Sequence, residues 1–218
     1  MRQLLVINPN TTQSVSDLLH HHVQAAAGPR VQVRTVTARF GAPYIADEAT
    51  YVVGAYAALD AWEAVAKESG PKPSAVLIGC FGDPGLLALR ETCGVPVTGL
   101  AEAAFTEAAA YGRFAVVTGG ERWKPMLERL AHMLGHSATL AGIHTVTPTG
   151  LQLAADPAAA HALLAQACVE AARKWGAQAV VLGGAGLAGM AAQIQGQVGV
   201  PLIDSVAAGA RQSLLVAT

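Results

Sequence analysis

The chain has 218 residues, which is enough for one large domain or for two small lobes with buried cores. Charged residues make up only 13% and the formal net charge is -1, so the composition lacks the basic surface of proteins that bind nucleic acid or anionic membranes. We therefore expect a small-molecule partner, with no nucleic acid and no membrane.

Three cysteines without close pairing favour a reduced compartment over a disulfide framework. The first apolar run is too short for the core of a signal peptide, and no run reaches membrane-spanning length. These features predict a cytoplasmic protein.

Short runs rich in Val, Ile and Leu alternate with longer Ala-rich stretches of helical periodicity. This alternation predicts an α/β fold with parallel sheets covered by helices. In chain order, the predicted strands are Leu4–Asn8, Val31–Val36, Ala75–Gly79, Val95–Thr98, Phe114–Thr118, Gly142–Val146, Ala179–Gly183 and Pro201–Asp204.

The eight predicted strands form two similar sets of four. Residues 4–8 resemble 114–118, residues 75–80 resemble 179–184, and residues 94–97 resemble 199–202. The repeat predicts two pseudo-symmetric lobes, each a mainly parallel four-stranded sheet flanked by helices. We expect residues 1–98 and 206–218 to form the first lobe and residues 99–205 the second.

Four residues, Asn8, Cys80, Thr118 and Gly184, lie at the ends of predicted strands. Ligands of open parallel sheets bind beyond the carboxyl ends of the strands. If the two lobes face each other, these positions converge on one cleft, with Cys80 and Gly184 on opposite walls. An active site in this cleft is the hypothesis.

Cys80 follows a buried strand and precedes Asp83 and Pro84, which are typical of an N-cap and a first helical position. The unpaired N–H groups of a helix start favour a thiolate. A cysteine can also serve as a small buried hydrophobe. The position at a strand end, next to Gly82 and Gly85, favours a chemical role.

Gly184, Gly186 and Gly189 form a G-x-G-x-x-G pattern after a strand, and Asp204 ends the next strand, as in dinucleotide-binding folds. However, too few strands follow these glycines for such a fold. The first lobe also has glycines at this spacing, so the repeat explains the pattern and no cofactor is predicted.

The polar side chains of Asn8 and Thr118 can bind carboxylate or carbonyl oxygens together with backbone N–H groups. Ordinary turn and capping chemistry explains these residue types equally well.

Neighbouring histidines at 20, 21 and 22 point in different directions on a helix, so they do not predict a metal site. Cys93 and Cys168 are expected to serve packing.

Three segments carry a resemblance to a known family: Val6-Ile7-Asn8-Pro9-Asn10-Thr11, Gly79-Cys80-Phe81-Gly82-Asp83-Pro84-Gly85-Leu86, and Val181-Leu182-Gly183 with Ala185-Gly186. They resemble the hydantoin and allantoin racemases of the aspartate/glutamate racemase superfamily, and the similarity covers nearly the whole chain. The resemblance implies a cofactor-free racemase that is a homo-oligomer and acts on a 5-substituted hydantoin, allantoin or a similar compound.

In this family, one cysteine from each lobe flanks the acidic carbon of the substrate. One thiolate removes the proton and the other thiol delivers a proton to the opposite face. By this pattern Cys80 is the first acid/base, and the second cysteine maps onto Gly184. The predicted substrate-binding residues are Asn8, Phe81, Gly82, Thr118, Gly119, Ala185 and Gly186, with Gly119 replacing one of the family's paired hydroxyls.

The glycine at 184 has a mechanistic consequence. A single base that returns a proton to the same face regenerates the starting enantiomer, so inversion needs another donor. We expect weak or absent racemisation unless another group supplies that proton. The glycine can be an engineered knockout, a natural change of reaction, or a change compensated by an unrecognised donor.

Two further functions remain open at this point. Arylmalonate decarboxylases of the same superfamily keep one cysteine, because protonation of a carbanion needs only one acid, but their cysteine lies in the second lobe. The other alternative is a small-molecule binder that has lost its chemistry.

Overall fold

The computed structural model describes residues 2–217, except for the side chains of residues 150, 151, 154 and 157. Within this range the strands are β1 (Arg2–Asn8), β2 (Val31–Thr37), β3 (Ala75–Ile78), β4 (Val97–Gly99), β5 (Phe114–Gly119), β6 (Leu140–Val146), β7 (Ala179–Gly183) and β8 (Leu202–Asp204). All eight predicted strands are confirmed, with bounds that differ by at most two residues.

Helices connect and cover the strands. They are α1 (Gln13–Ala27), α2 (Glu48–Ala66), α3 (Leu86–Thr92), α4 (Leu100–Ala109), α5 (Trp123–Met133), α6 (Gly150–Ala155), α7 (Pro157–Trp175), α8 (Met190–Ile194) and α9 (Ser205–Val216). Short 3₁₀ segments lie at Ala185–Leu187 and Gln195–Gln197. No helix within the described residues is long and apolar enough to cross a bilayer.

The strands form two four-stranded sheets with the same order, β2-β1-β3-β4 and β6-β5-β7-β8. All neighbouring strands are parallel. The order places β3 and β7, which lead into Cys80 and Gly184, at equivalent positions. The predicted α/β fold with two four-stranded parallel sheets is therefore confirmed, whereas the lobe boundaries at residues 98, 99, 205 and 206 stay a prediction.

The two sheets share a central apolar cluster, and each sheet also contributes to a separate apolar cluster of its own. The central cluster combines Val6 and Leu77 of the first sheet with Val116 and Val181 of the second. Phe105 of α4 lies completely buried among them. Burial of these side chains is the main favourable contribution to folding, at roughly 25 cal/mol for each Å² of apolar surface removed from water.

The side chain of Phe81 connects the two halves of this central cluster. Its ring lies against Gly183 at the end of β7, where a β-carbon would overlap the ring. The same ring makes an edge contact with Phe105 at 5.9 Å between centroids. A glycine at 183 therefore allows the corner after β3 to pack directly on the second sheet.

A methyl group at Gly183 should displace the Phe81 ring. We expect Gly183→Ala to lower the free energy of unfolding by about 1–3 kcal/mol, the usual cost of overpacking a core. Gly199→Ala is the matched control, because a β-carbon there has no neighbour within 4 Å. Urea denaturation measures both, and equal stability of the two variants would contradict this packing.

Candidate functional site

A cavity of about 370 Å³ opens where the carboxyl ends of the two sheets meet. This volume is within the range of small-molecule sites. It is lined by α1, by residues at and beyond the ends of strands of both sheets, by the connection between β2 and α2, and by α5 and α6. The lining residues are Asn10, Ser14, Val15, Leu18, Tyr44, Ile45, Gly79, Cys80, Phe81, Thr118, Trp123, Ala155, Gly184, Ala185 and Gly186. The structure thus brings together Cys80, Thr118 and Gly184, which the strand-end argument names, and Phe81, Ala185 and Gly186, which come from the resemblance.

The turn after β3 presents Cys80 to the cavity. Helix α3 begins only at Leu86, and its N-cap is Gly85, whose φ is 84°. The expected helix start at Asp83 is therefore wrong. Asp83 instead accepts hydrogen bonds from the backbone N–H groups of Ala101 (2.9 Å) and Glu102 (2.8 Å), at the start of α4.

The surroundings of Cys80 favour the thiol over the thiolate. The side chain is buried, with 8% of its surface exposed. Burial raises the pKa of the Cys80 thiol, and the nearby Asp83 carboxylate raises it further. This corrects the expectation that a helix start directly after Cys80 stabilises its thiolate.

The equivalent corner after β7 has a different backbone. Gly184 has a φ of 147°, which L side chains rarely adopt, whereas Cys80 is not among the described non-glycine residues with positive φ. A β-carbon at Gly184 would lie 3.3 Å from Cγ of Leu187. The corner is therefore adapted to glycine, and a side chain there requires the backbone to shift.

Asn8 lies behind the residues that line the cavity and stabilises them through hydrogen bonds. Its Nδ2 donates to Asn10 Oδ1 (3.1 Å), the Thr12 carbonyl (3.2 Å) and Ser16 Oγ (2.9 Å). Asn8 is completely buried and does not belong to the cavity lining. The structure thus places Asn10, rather than the predicted Asn8, at the cavity.

The amide of Asn10 is oriented by these contacts. Its Oδ1 accepts from Asn8 Nδ2 and from the backbone N–H of Thr12 at 2.9 Å. Its Nδ2 has no acceptor among the described residues and is available to a ligand in the cavity. The sequence signal for Asn10 was present, since it lies two residues beyond the end of β1.

Thr118 near the end of β5 and Trp123 at the start of α5 form part of the cavity wall. The Thr118 hydroxyl makes no hydrogen bond to another described residue, although Thr118 is buried. Trp123 lies against Gly82, where a β-carbon would overlap the indole. Gly82 and Gly119 lie outside the cavity lining, so the structure does not bring these two predicted residues to the ligand.

Tyr44 and Ile45 come from the connection between β2 and α2. The connection is held by the hydrogen bonds from Thr11 N–H to the Ala42 carbonyl (3.2 Å) and from the Thr12 hydroxyl to the Pro43 carbonyl (2.6 Å). The sequence indicates that loops such as residues 41–51 set the specificity of the pocket, but it does not identify Tyr44 and Ile45 individually. Neither lies at a strand end, and only the folded chain brings them to the cavity.

The cavity is neutral. None of the described residues that line it is Lys, Arg, His, Asp or Glu. Within residues 2–217, no three His, Cys, Asp or Glu side chains are placed to hold a metal ion.

The dinucleotide-like glycines have a local structural role. The carboxylate of Asp204 accepts from the N–H groups of Gly189 (2.7 Å), Val206 (2.9 Å) and Ala207 (3.0 Å). It therefore joins the corner after β7 to the start of α9. These contacts occupy the carboxylate that a dinucleotide fold would direct at a ribose.

Comparison with known proteins identifies the family. The sequence model of the Asp/Glu/hydantoin racemase family matches residues 4–213. The chain belongs to this family. Family membership makes it an enzyme of the isomerase class, a racemase of the hydantoin and allantoin racemase type.

Individual relatives agree with this assignment. A hydantoin racemase of Pseudomonas sp. (strain NS671) is 35% identical, over 96% of this chain and 83% of its own. The structure of an allantoin racemase from Klebsiella pneumoniae has a TM-score of 0.92 at 30% identity, and the match covers 99% of this chain and 87% of that one. Unliganded arylmalonate decarboxylase, at 18% identity and a TM-score of 0.67 over 100% of this chain and 93% of its own, shares the fold alone.

The two polar residues at the ends of β1 and β5 should respond differently to mutation. Asn8→Ala leaves several buried partners unpaired and is expected to cost about 2–4 kcal/mol of unfolding free energy. Thr118→Val removes a hydroxyl that has no partner in the described protein and should change stability by less than about 0.5 kcal/mol. Urea denaturation measures both, and a large loss in Thr118→Val would contradict its placement at the cavity.

Proposed function

We propose that the chain exchanges the proton on the acidic carbon of a hydantoin, allantoin or related cyclic ureide, with Cys80 as the acid/base. The observation that carries the proposal is the cavity between two equivalent corners, one of which presents a thiol. The names of the relatives, hydantoin racemase and allantoin racemase, supply the substrate class. No cofactor takes part in this mechanism.

The chemistry at Cys80 is a reversible proton transfer. The thiolate accepts the proton from the carbon, and the electron pair of the C–H bond moves onto the adjacent carbonyl as an enolate. The thiol then returns a proton, which comes from solvent if the thiol has exchanged. General acid–base catalysis of this kind contributes typically 10²–10⁴-fold.

Neutral donors around the cavity are suited to the negative charge of the enolate. The backbone N–H groups of Phe81, Ala185 and Gly186 have no acceptor among the described residues. The amide of Asn10 and the hydroxyl of Thr118 add two side-chain donors. Preorganised donors of this type stabilise developing charge without further reorganisation.

The glycine at 184 limits the reaction to one face of the carbon. We infer that it stands where the relatives carry a second thiol, since the internal repeat aligns it with Cys80. Proton exchange with retention is then fast, and inversion is slow. The backbone angle at Gly184 and the tight approach that a β-carbon there would make to Leu187 favour a natural glycine corner over a simple deletion of one thiol.

The cavity wall also favours a particular substituent on the ring. Val15, Leu18, Ile45 and Trp123 provide apolar surface, and none of the described lining residues is charged. Each buried methylene of a substrate gains about 0.8 kcal/mol in such surroundings. We infer a preference for aromatic or branched aliphatic 5-substituents over the polar ureido group of allantoin.

Loss of the Cys80 thiol should abolish proton exchange. In heavy water, the unmodified chain is expected to incorporate deuterium at C5 of one enantiomer of 5-benzylhydantoin above the buffer rate. Cys80→Ser should reduce this rate by at least about 100-fold, the lower range for loss of a general base. Proton NMR measures the exchange.

Cys168→Ala is the matched control, because Cys168 is buried within α7, away from the cavity lining. It should retain the rate of the unmodified chain. Equal exchange by Cys80→Ser and the unmodified chain would exclude Cys80 as the base.

A thiol at position 184 should add inversion, at a cost in stability. Gly184→Cys and Gly184→Ala both require a side chain at a φ of 147°, so each should lose about 1–3 kcal/mol of unfolding free energy. Only Gly184→Cys carries a second acid, and we expect it to racemise at least about tenfold faster than Gly184→Ala. Polarimetry measures racemisation, and equal rates for the two variants would contradict the assignment of this position.

A second candidate function is protonation of a carbanion formed by decarboxylation. The thiol form of Cys80, which its burial and Asp83 favour, is the form that such a reaction needs. Release of carbon dioxide from a disubstituted malonate, lost in Cys80→Ser, would favour this function over proton exchange.

Homo-oligomer formation also stays a prediction, which sedimentation analysis can test.

A further inference from the structure

Asp83, three residues after Cys80, is the only Asp or Glu among the described buried residues. It is 1% exposed, and it is the one described non-glycine residue with a positive φ, at 56°. Its own N–H donates to the Cys80 carbonyl at 3.1 Å, which closes the turn that carries the thiol. Asp83 is therefore part of the turn that carries Cys80.

The pseudo-symmetry shows that this placement is specific to the first corner. Asp83 aligns with Leu187, three residues after the equivalent positions Cys80 and Gly184. In the second half, the carboxylate that caps the following helix comes from Asp204 at the end of β8. The first half has Gly99 at that position, and the Asp83 carboxyl occupies the space of its missing side chain.

Backbone N–H groups stabilise the Asp83 carboxylate, and the described residues place no cation in an ion pair with it. Glu102 of α4 is a further acid that acts on Asp83, and it pairs with Arg90 at 2.6 Å. Tyr51 of α2 donates to the Gly82 carbonyl at 3.0 Å. Glu48 and Arg129, which pair with each other at 2.6 Å, also act on Tyr51.

Burial dominates the acidity of these groups. It raises the pKa of Asp83 to about 7, although the N–H groups of Ala101 and Glu102 oppose the shift. Burial, Asp83 and Cys80 raise the pKa of Tyr51 to about 12. Two acids that share a poorly solvated region do not both ionise readily, so a charge on Asp83 disfavours the Cys80 thiolate.

We propose that Asp83 is a positioning residue that holds the Cys80 turn on α4 and keeps Cys80 in the thiol form through neutral pH. The thiolate, which removes protons from the substrate, then forms in alkaline solution. The link to catalysis rests on the proposed function, whereas the thiol form itself can be measured without substrate.

The test is the pH dependence of alkylation of Cys80 by iodoacetamide, with the modified cysteine located by mass spectrometry. In the unmodified chain the midpoint should lie above the ordinary thiol value of about 8.5. Asp83→Asn removes the charge and keeps one acceptor oxygen, so its midpoint should fall by at least about one unit. One unit corresponds to about tenfold faster alkylation at neutral pH, because the thiolate fraction rises tenfold.

Glu102→Gln is the matched control, since it removes a neighbouring carboxylate but leaves the turn intact. Its midpoint should shift by less than about half a unit, as expected for a partly exposed, ion-paired group. A midpoint in Asp83→Asn equal to or above that of the unmodified chain would overturn the proposal. If Asp83→Asn fails to fold, the alkylation midpoint of the unmodified chain tests the proposal by itself. A midpoint at or below about 8.5 would overturn the proposal as well.

The outcome is independent of the proposed function. If the alkylation midpoint shifts as expected but no hydantoin exchanges deuterium, the role of Asp83 stands and the proposed reaction is wrong. If exchange depends on Cys80 but the midpoint does not respond to Asp83→Asn, the reaction stands and the role of Asp83 is wrong.

Discussion

The site depends on the two hydrogen bonds that the start of α4 donates to Asp83. Through them, the turn that carries Cys80 is fixed to a helix that also packs against β5 and β7 of the second sheet. Phe81, one residue after the thiol, then packs on Gly183 of that sheet. Buried contacts therefore set the position of Cys80 relative to the corner at Gly184. Tyr44 and Ile45, from the connection between β2 and α2, complete the lining of the cavity between these corners.

The same constraint explains why the two corners are not interchangeable. The first corner accommodates a thiol and a buried carboxylate, whereas the second has a glycine-specific backbone at Gly184, a 3₁₀ turn at Ala185–Leu187 and a partly exposed carboxylate at Asp204. The fold is pseudo-symmetric, but the two halves of the site in this chain are chemically different. Under the proposed function, this asymmetry favours proton exchange on one face of the substrate carbon over inversion.

Much of the fold could be predicted because its signals are local. Runs of β-branched residues marked all eight strands, and the internal repeat divided them into the two sheets.

The strand-end rule also brought Cys80, Thr118 and Gly184 to one cavity. The helix-start pattern was wrong for Asp83, because the real partners of this carboxylate, Ala101 and Glu102, lie 18 and 19 residues further on. Trp123 was missed, and Tyr44 was not identified within the loop at residues 41–51, because only tertiary packing determines which of these side chains reach the cavity. The backbone angle at Gly184 also has no signature in the sequence beyond the glycine itself.

Under the proposed function, one thiol exchanges the substrate proton without inverting the carbon. The most direct test follows deuterium incorporation by NMR and optical rotation together, in one sample of a single enantiomer of 5-benzylhydantoin with the unmodified chain in heavy water. The account predicts that incorporation exceeds loss of optical rotation by at least about tenfold after subtraction of the buffer rate, because returned protons arrive on the face from which they left. Equal rates of incorporation and inversion would show a second acid on the opposite face and would contradict the account.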